Sequence, residues 1–446
     1  MKIMTKIAIL GFGREGRSVL EFIKREPEFR GAEIWILDEK KQAVPRGARG
    51  RFGKKYLSRL GSFDIIFRSP GVRYLHPEIQ RAMRRGTRIS SLTKLFFEKC
   101  IGRVIGVTGT KGKGTTSALI HHILKAGGEK TFLAGNIGTP ALDILPAITK
   151  DSWVVLELSS FQLMDAEQSP HIAVALMVTS EHLDWHKNNR EYVAAKANIV
   201  RFQSRNDYAV LSADYPKSMS YARATKARIL AFSRHEAVRK GTFVRDGWFW
   251  FSNGKKKERV CAVADLHLPG EHNWENAAAA ITAAKLAGVP DKKIRKAVAS
   301  FHGLEHRLEF VKTVRGTRYY NDSYSTTPET AEVAIAAFKE PKILILGGSH
   351  KGSDFKSLGR TISKSKSIRA IVGVGAEWPK IKAHIANGNI PVVEGCRSMD
   401  EIVRAARALA MPGDAVLLSP GCASFGMFRN YTERGAQFKR CVNALK

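Results

Sequence analysis

The stretch VIGVTGTKGKGTT (residues 104–116) decides the fold of the middle of this chain, because a short apolar run passes there into glycines around one lysine. Small residues allow several backbone N–H groups to point at one phosphate, with the N-terminus of a helix behind them. The segment TTSALIHHILKAG (115–127) predicts that helix, and the Lys113 ammonium would add charge for the outer phosphates of a nucleotide. The stretch therefore predicts a strand, a phosphate-binding loop and a helix.

Magnesium that accompanies a nucleotide needs oxygen ligands, and few of them come from the protein. A P-loop normally carries Ser or Thr directly after its lysine, but this chain has Gly114 at that position. We expect the hydroxyl of Thr115 or Thr116 to take that role if the loop turns one residue later. Glu157 ends the apolar run WVVLE and should lie at the carboxyl edge of the same sheet, where ligands bind in open α/β folds.

A second group of polar residues follows the next apolar run of this segment. The run begins at residue 171, and His182, Asp184 and His186 come directly after it, on the same predicted edge of the sheet. The spacing H-x-D-x-H leaves a zinc site open as an alternative to a magnesium site, because histidine and aspartate are both zinc ligands.

The N-terminal segment has the pattern of a nucleotide-binding fold. A strand-like run from Ile7 to Leu10 leads into Gly11-x-Gly13-x-x-Gly16 and an amphipathic helix, and a second strand ends at Asp38. A strand, three glycines at this spacing, a helix and an acidic residue about 20 positions further on are the dinucleotide fingerprint. A third strand-like run ends in the turn at Ser69. These features predict a Rossmann-like sheet.

The C-terminal segment also alternates between strands and helices. Its strand-like runs are YYNDS (319–323), KILILGG (342–348), AIVGVG (370–375) and AVLLSPG (415–421). Alternation of this kind along the whole chain predicts α/β domains with largely parallel sheets. We place three domains at residues 1–101, 102–302 and 303–446: Rossmann-like, P-loop ATPase and Rossmann-like.

The composition is that of a soluble globular protein, with 446 residues, 44% hydrophobic and 26% charged. No apolar run approaches the roughly 18–20 residues that cross a bilayer, and no signal-peptide cleavage site follows the N-terminus, so we expect a cytoplasmic protein. Five scattered cysteines without a C-x-x-C pair argue against a disulfide framework. The formal net charge of +32 is compatible with a polyanion partner, but no nucleic-acid-binding motif accompanies it.

Several motifs together resemble the Mur ligases, the ATP-dependent amide-forming enzymes of peptidoglycan precursor synthesis. Four of them are GTKGKGTT (109–116), GNIGTPAL (135–142), ELSSFQL (157–163) and GEHNWENAAAA (270–280). Three more are similar to the branch that adds D-glutamate to UDP-N-acetylmuramoyl-L-alanine: SPGV (69–72), NDSYSTTP (321–328) and LLSPGCASFGMFRNYTERGAQF (417–438). The resemblance covers all three segments in order.

The resemblance implies a UDP-binding domain, a central ATPase domain and a C-terminal domain for the incoming amino acid. ATP would phosphorylate the substrate carboxylate to an acyl phosphate, which the amine of the amino acid attacks. The residues that match ATP-binding positions are Gly109, Thr110, Lys111, Gly112, Lys113, Gly114, Thr115, Thr116, Asn273, Asn276, Arg307 and Asp322.

The same resemblance implies two magnesium ions and a modified lysine. Lys113, Glu157, His182 and Lys196 match catalytic positions. Thr115 and Glu157 would hold one ion, whereas His182 and a carbamate on Lys196 would hold the second. An ammonium with a pKa near ~10.4 cannot ligate a metal, but a carbamate on the same stem presents two oxygens and a negative charge.

The remaining matches concern the two other substrates. The UDP-sugar positions are Gly13, Arg14, Asp38, Ser69, Gly71, Asn136 and Gln162. The glutamate positions are Thr326, Lys351, Ser424, Phe425 and Tyr431. We expect a monomer that acts on small molecules, without a membrane or nucleic-acid partner.

Three positions depart from the pattern of the branch. Gly114 replaces a hydroxyl residue, as in folylpolyglutamate synthase-like relatives, Tyr324 stands where lysine is usual, and Gly426 stands where an acidic residue is usual. Ligation of L-glutamate and a folylpolyglutamate-type ligase therefore stay open as alternatives. A nicotinamide dehydrogenase would leave the loop at 106–116 idle, and a basic nucleic-acid-binding protein would rest on the net charge alone.

Overall fold

Three separate sheets hold the strands of the chain in a computed structural model, which describes residues 5–179, 185–350, 352–386 and 388–446. Each sheet is built from a different part of the sequence, in chain order, and consists largely of parallel strands joined through helices. The predicted α/β fold class is thereby confirmed.

The first sheet belongs to the N-terminal segment. Its strands are β1 (Lys6–Leu10), β2 (Glu33–Asp38), β3 (Ala48–Phe52), β4 (Ile65–Arg68) and β5 (Arg88–Ser90), and its helices are α1 (Arg14–Arg25), α2 (Pro77–Arg84) and α3 (Leu92–Lys99). All pairs in the order β3-β2-β1-β4-β5 are parallel. Ile7 and Ile9 belong to the core that includes α1, whereas Ala8 and Leu10 belong to the core that includes α2. Successive side chains of a strand point to opposite faces of the sheet, so both faces of β1 are buried, one in each core.

The second sheet has nine strands. They are β6 (Arg103–Thr108), β7 (Thr131–Gly135), β8 (Trp153–Glu157), β9 (Ile172–Ala175), β10 (Tyr208–Ser212), β11 (Arg228–Ser233), β12 (Gly241–Arg245), β13 (Trp248–Ser252) and β14 (Lys257–Ala262). The order is β14-β13-β12-β11-β10-β9-β6-β8-β7, and only the pairs of β13 with β12 and with β14 are antiparallel. The β12–β13 hairpin turns at Asp246 and Gly247, which both have positive φ, as a two-residue hairpin turn requires.

Helices accompany this second sheet along its length. They are α4 (Lys113–Gly127), α5 (Ala141–Ile144), α6 (Ser160–Leu163), α7 (Asn189–Arg201), α8 (Pro216–Met219), α9 (His272–Leu286) and α10 (Asp291–Ser300). Helix α4 follows β6 directly, as the glycine pattern predicts.

The third sheet belongs to the C-terminal segment. Its strands are β15 (Glu309–Val314), β16 (Thr317–Asn321), β17 (Lys342–Gly347), β18 (Ile368–Val374), β19 (Val392–Val393) and β20 (Ala415–Leu418). Its helices are α11 (Pro328–Ala336), α12 (Lys356–Lys364), α13 (Trp378–Lys382), α14 (Met399–Leu409) and α15 (Tyr431–Ala444). The order is β15-β16-β20-β17-β18-β19, and β15 alone pairs antiparallel in it.

The chain forms two compact units. One contains the described residues up to Leu266 together with Trp274–Ala299, and the other contains His267–Asn273 with Ser300–Lys446. The boundary predicted at residues 101 and 102 lies inside the first unit and stays a prediction. Within the described ranges, no helix is long and apolar enough to span a membrane.

Candidate active site

The glycine loop at 109–112 joins β6 to α4 in the middle of the second sheet. Gly112 is the N-cap of α4, has a φ of +84°, and gives the helix no side-chain cap. A Cβ at this position would lie 2.2 Å from Oδ1 of Asn276, so only glycine fits there. Gly112 therefore places no side chain over the start of α4, which is what a phosphate loop needs.

Two lysine side chains meet at one carbonyl of this loop. Nζ of Lys113 donates to the carbonyl of Gly109 at 3.0 Å and to that of Thr110 at 3.1 Å. Nζ of Lys196, from α7, donates to the same Gly109 carbonyl at 2.8 Å. Lys196 is only 2% exposed, and its Nζ lies 4.8 Å from the centre of the Tyr192 ring. The sequence places these lysines 83 positions apart (196 − 113), and the fold brings both to the loop.

The hydroxyl groups of the loop have different partners. Oγ1 of Thr116 donates to Oδ1 of Asn276 at 3.2 Å inside the core. Oγ1 of Thr110 lies 3.0 Å from the Tyr192 hydroxyl and accepts a bond from the backbone N–H of Thr179 at 3.0 Å. Thr115 is half-buried, and its hydroxyl makes no hydrogen bond to any residue of the described ranges. Of the two candidates for the metal hydroxyl, Thr115 is thus the one that is not used in packing.

Glu157 ends β8, next to the loop, as expected. It pairs with Val107 of β6 on one side and with Gly135 of β7 on the other. Its Oε1 accepts a bond from Nδ2 of Asn136 at 2.9 Å. Its Oε2 is buried and accepts no hydrogen bond from the described part of the chain, although the residue is only 3% exposed.

A buried carboxylate oxygen without a donor is costly unless a cation or a donor completes it. Oxygen ligands of this kind suit magnesium, so Glu157 and Thr115 fit the metal that the sequence implies. His182 lies outside the described residues, as does Asp184. His186 is described, and its Nε2 lies 2.9 Å from Oγ of Ser160.

Two asparagines lie at the start of α9. Asn276 is 5% exposed and meets the loop through Gly112 and Thr116. Asn273 is 6% exposed, and its Nδ2 donates to the carbonyl of Pro269 at 2.7 Å. The H-N-x-x-N pattern therefore supports both the loop and the turn that precedes the helix.

The N-terminal glycine loop is held by the residues that the sequence assigns to the UDP-sugar. Oδ2 of Asp38 accepts a bond from the backbone N–H of Phe12 at 2.7 Å. Oγ of Ser69 donates to the carbonyl of Gly11 at 2.7 Å. Gly13 is the N-cap of α1, without a side-chain cap. Asp38 and Ser69 thus shape the loop whatever ligand it binds.

Several other UDP-sugar candidates lie at the surface around this loop. Gly13, Arg14 and Gly71 are exposed. The Arg14 guanidinium donates to the carbonyl of Gly138, in the segment that follows β7. Asn136 is exposed as well, and it orients Glu157.

Gln162 is 2% exposed and is bonded at both ends of its amide. Its Oε1 accepts from the backbone N–H of Ser159 at 2.9 Å, which closes a capping box on α6. Its Nε2 donates to Oε1 of Glu15 at 2.8 Å. Burial raises the pKa of Glu15 above its ordinary value. The assignment of Gln162 to the sugar stays a prediction, and Glu15 is a partner that the sequence analysis missed.

The SPGV turn depends on a buried ion pair that the sequence analysis also missed. Arg68 donates to the carbonyl of Val72 at 2.8 Å and to Oδ1 of Asp165 at 2.7 Å. Both side chains are almost fully buried, at 0% and 1% exposed. Nothing in the local pattern pairs two residues 97 positions apart.

In the second compact unit, Asp322 follows β16 and is buried. Its Oδ2 accepts from the Ser419 hydroxyl at 2.8 Å, and its Oδ1 accepts from the backbone N–H of Leu308 at 3.1 Å. Burial raises the pKa of Asp322 to about 7, against the effect of these donors and of the Arg307 charge. The Arg307 guanidinium lies 3.9 Å from the centre of the Tyr324 ring.

Two of the glutamate candidates border a cavity of about 480 Å³. Ser424 and Phe425 form part of its wall, opposite glycines at the carboxyl ends of β17 and β18. Phe425 is 64% exposed. Thr326 is half-buried before α11, Tyr431 begins α15, and Lys351 lies outside the described residues.

The two C-terminal motifs are joined by Arg434, to which the sequence analysis assigned no role of its own. It is 3% exposed, and its guanidinium donates to the carbonyls of Ser323 and Cys422. Burial lowers the pKa of Arg434 to about 10. Its place in the motif at 417–438 could have marked Arg434 as a residue with a role, but the sequence does not show that its side chain is buried.

Family patterns match most of the chain. The N-terminal domain of MurD-like Mur ligases matches residues 5–91, the Mur ligase middle domain matches residues 107–284, and the glutamate ligase domain of Mur ligases matches residues 306–422. Their order is that of the three sheets.

Similar proteins extend over the whole chain. It is 38% identical to the UDP-N-acetylmuramoylalanine–D-glutamate ligase of Acetivibrio thermocellus, over 99% of this chain and 97% of that protein. It is also 38% identical to the protein of the same name from Symbiobacterium thermophilum, over 100% and 99%. The crystal structure of MurF ligase from Thermotoga maritima in complex with ADP has the same fold, with a TM-score of 0.58 at 18% identity over 99% of this chain and 96% of that one. The chain therefore belongs to the Mur ligase family.

Proposed function

We propose that this chain joins D-glutamate to the L-alanyl carboxylate of UDP-N-acetylmuramoyl-L-alanine at the expense of ATP, in cytoplasmic peptidoglycan precursor synthesis. The observation that carries the proposal is the meeting of Lys113 and Lys196 at the Gly109 carbonyl, at the start of α4. The names of the full-length relatives point to the same reaction.

The reaction explains why positive charge is needed at this loop. An oxygen of the substrate carboxylate attacks the γ-phosphorus of ATP, the bond to the β-phosphate oxygen breaks, and ADP leaves. The amine of glutamate then attacks the acyl carbon, phosphate leaves, and the amine loses a proton. Two anions must approach each other in the first step, so the Lys113 ammonium and backbone N–H donors have to compensate their charge.

Magnesium, which the family uses with ATP, neutralises phosphate charge and orients the phosphate oxygens when bound. The residues that would hold one ion are Thr115 and Glu157, and Asn136 orients Glu157 through its Oε1. A second ion would take His182 and a carbamate on Lys196. The burial of Lys196 supports this assignment, because a carbamate is protected there from water.

The carbamate can be tested without turnover. We expect a carbamate carbon resonance in wild-type protein equilibrated with ¹³C-bicarbonate, and its absence in Lys196→Gln. Lys196→Gln should also lower kcat by about 100-fold or more, since a group that positions a metal ligand set is lost. A wild-type protein without the resonance would leave Lys196 as an ammonium that binds phosphate.

The other substrates are assigned to the remaining groups. The UDP-sugar is bound by the loop at Gly13, with Arg14, Asp38, Ser69 and Gly71 around it. Glutamate is bound in the C-terminal segment by Thr326, Lys351, Ser424, Phe425 and Tyr431. Arg307, Asp322, Asn273 and Asn276 are assigned to ATP from the resemblance alone.

These assignments correspond to domains at 1–101, 102–302 and 303–446. The protein acts as a monomer. It acts without nucleic acid, because no element that reads bases accompanies the excess of basic residues.

The decisive experiment measures phosphate release from ATP with purified protein, Mg²⁺ and UDP-N-acetylmuramoyl-L-alanine. Parallel reactions contain D-glutamate, L-glutamate or no amino acid. We expect release that depends on D-glutamate. Dependence on L-glutamate would assign the sister activity and implicate Tyr324 and Gly426, and no release with either would reject both and lead next to folates.

A further inference from the structure

Tyr324 is the aromatic residue that stands where the D-glutamate-adding branch usually has lysine, and it lies in a stack of side chains. The carbon of the Arg307 guanidinium lies 3.9 Å from the centre of the Tyr324 ring. The Tyr431 ring meets it edge to face, with centres 5.2 Å apart and planes at 87°. We call this group the Arg307–Tyr324–Tyr431 stack.

The backbone on both sides of Arg307 is held in an unusual conformation. His306 has a φ of +65° and Leu308 a φ of +44°, although neither is glycine. The N–H of Leu308 donates to Asp322, and the N–H of Tyr324 donates to the carbonyl of His306 at 2.9 Å. Left-handed conformations of such residues persist where the surroundings over-determine them, and they cluster at functional sites. The turn therefore fixes where the Arg307 side chain leaves the backbone.

The end of that side chain is fixed by Tyr324. A long arginine side chain has many rotamers, and ordering it costs conformational entropy when a ligand binds. A guanidinium that already lies flat on an aromatic ring is ordered before binding, so binding loses little further conformational entropy. A lysine at position 324 would instead bring a second positive charge towards the guanidinium and repel it.

We propose that Tyr324 is a positioning residue for the proposed reaction: its ring, which contacts Tyr431, holds the Arg307 guanidinium ready for ATP. Tyr324 thus supports the Arg307 guanidinium, whereas the branch usually has a lysine at this position. The inference rests on the proposed function, which assigns Arg307 to ATP.

The test compares three variants of Tyr324. Tyr324→Phe keeps the ring and should leave the Kd of a non-hydrolysable ATP analogue within twofold of wild type. Tyr324→Ala removes the ring and should raise that Kd by about fivefold, the loss of one partly exposed cation–π contact of about 1 kcal/mol. Tyr324→Lys should raise it at least as much. Tyr208→Ala, which removes the ring of the Arg228–Tyr208 pair in the other compact unit, is the matched control and should change nothing.

A double-mutant cycle distinguishes positioning from general damage. Once Arg307→Ala has removed the guanidinium, Tyr324→Ala should have no further effect on ATP-analogue binding, because the ring acts through Arg307. Additive losses in the cycle would overturn the proposal. So would an unchanged analogue Kd together with a raised KM for glutamate, which would make Tyr324 a direct glutamate contact.

The binding readout also separates this proposal from the proposed function. Analogue binding does not require the correct amino acid. A coupled Arg307–Tyr324 pair in a protein without D-glutamate-dependent turnover would therefore support the role of Tyr324 and reject the proposed ligation. If the wild-type protein turns over with D-glutamate but Tyr324→Ala binds the analogue like wild type, the proposed ligation is supported and the role of Tyr324 is rejected.

Discussion

The two glycine loops of the first compact unit each contain a glycine with positive φ before a helix, but the charged side chains around them differ. Gly11 and Gly112 have φ values of +86° and +84°, and each loop leads directly into a helix without a side-chain cap. Two lysine ammonium groups meet at the second loop. The first loop has Asp38 on its backbone and Glu15 in the first turn of α1.

On the proposed assignment of ATP to the second loop and the UDP-sugar to the first, the glycines provide the geometry of each loop and the charged side chains around it select the ligand. A nucleoside triphosphate carries a terminal phosphate with a high charge, which needs cations. The diphosphate of a UDP-sugar is esterified at both ends and carries less charge, so backbone N–H groups and one arginine can suffice. The comparison gives four predictions, each of which should affect one loop and spare the other.

The largest effect should follow Lys113→Ala. We expect kcat to fall by about 1000-fold, because a charge-compensating group at the transferred phosphate is lost in a site with few alternatives. The KM for the UDP-sugar should stay within twofold. Lys125→Ala, at the exposed end of the same helix, is the control in the phosphate-release assay. Equal loss of UDP-sugar affinity in Lys113→Ala would break the division between the loops.

Thr115→Ala should lower activity, whereas Thr116→Ala should lower stability. Thr115→Ala should lower kcat by about 100-fold at low Mg²⁺, with partial recovery at high Mg²⁺, because a metal-positioning hydroxyl is lost. Thr116→Ala should lower the free energy of unfolding by about 1 kcal/mol, because its bond to Asn276 is structural. Magnesium titrations and urea unfolding measure the two effects, and a magnesium-dependent defect in Thr116→Ala alone would reverse the assignment.

Gly112→Ala should raise the KM for ATP by roughly 10-fold, since the loop must move to relieve the contact of a Cβ with Asn276. Gly11→Ala should raise the KM for the UDP-sugar instead, because its Cβ would lie 2.9 Å from that of Ser69. Gly128→Ala, at the C-cap of α4, has a similar φ of +95° with nothing near its Cβ. It should cost only about 1 kcal/mol of stability and leave both KM values unchanged. Effects of all three on the same KM would contradict the comparison.

The smallest effect should follow Glu15→Gln at the first loop. Burial raises the pKa of Glu15, so its ionisation costs stability as the pH rises above the ordinary value of 4.5. The glutamine variant should therefore be more stable than wild type near pH 8, and the difference should vanish towards pH 4.5. Its KM for the UDP-sugar should fall by roughly twofold at pH 8, because a negative charge near the diphosphate is removed.

Urea unfolding at several pH values checks the stability part of this prediction. A difference in unfolding free energy that does not change with pH would show that folding does not raise the pKa of Glu15.

Local patterns predicted the fold and the phosphate loop well. The strands β1 and β6 are short apolar runs that end in glycines, so their place and the helices after them follow from residues within about 25 positions. The β12–β13 hairpin was absent from the sequence analysis, although Asp246-Gly247 between the apolar runs TFV and WFWF was a usable signal.

The amino-acid sequence by itself determined the fold class, the glycine loop at 109–112 and, through the resemblance, the type of reaction, because these depend on local spacing and on motifs. Only the tertiary structure decided that Lys196 reaches Gly109, that Oε2 of Glu157 is buried without a donor, and that Tyr324 lies under Arg307. These contacts join residues far apart in the chain, and burial and partners, which fix the energy of a charge, exist only after the chain has packed.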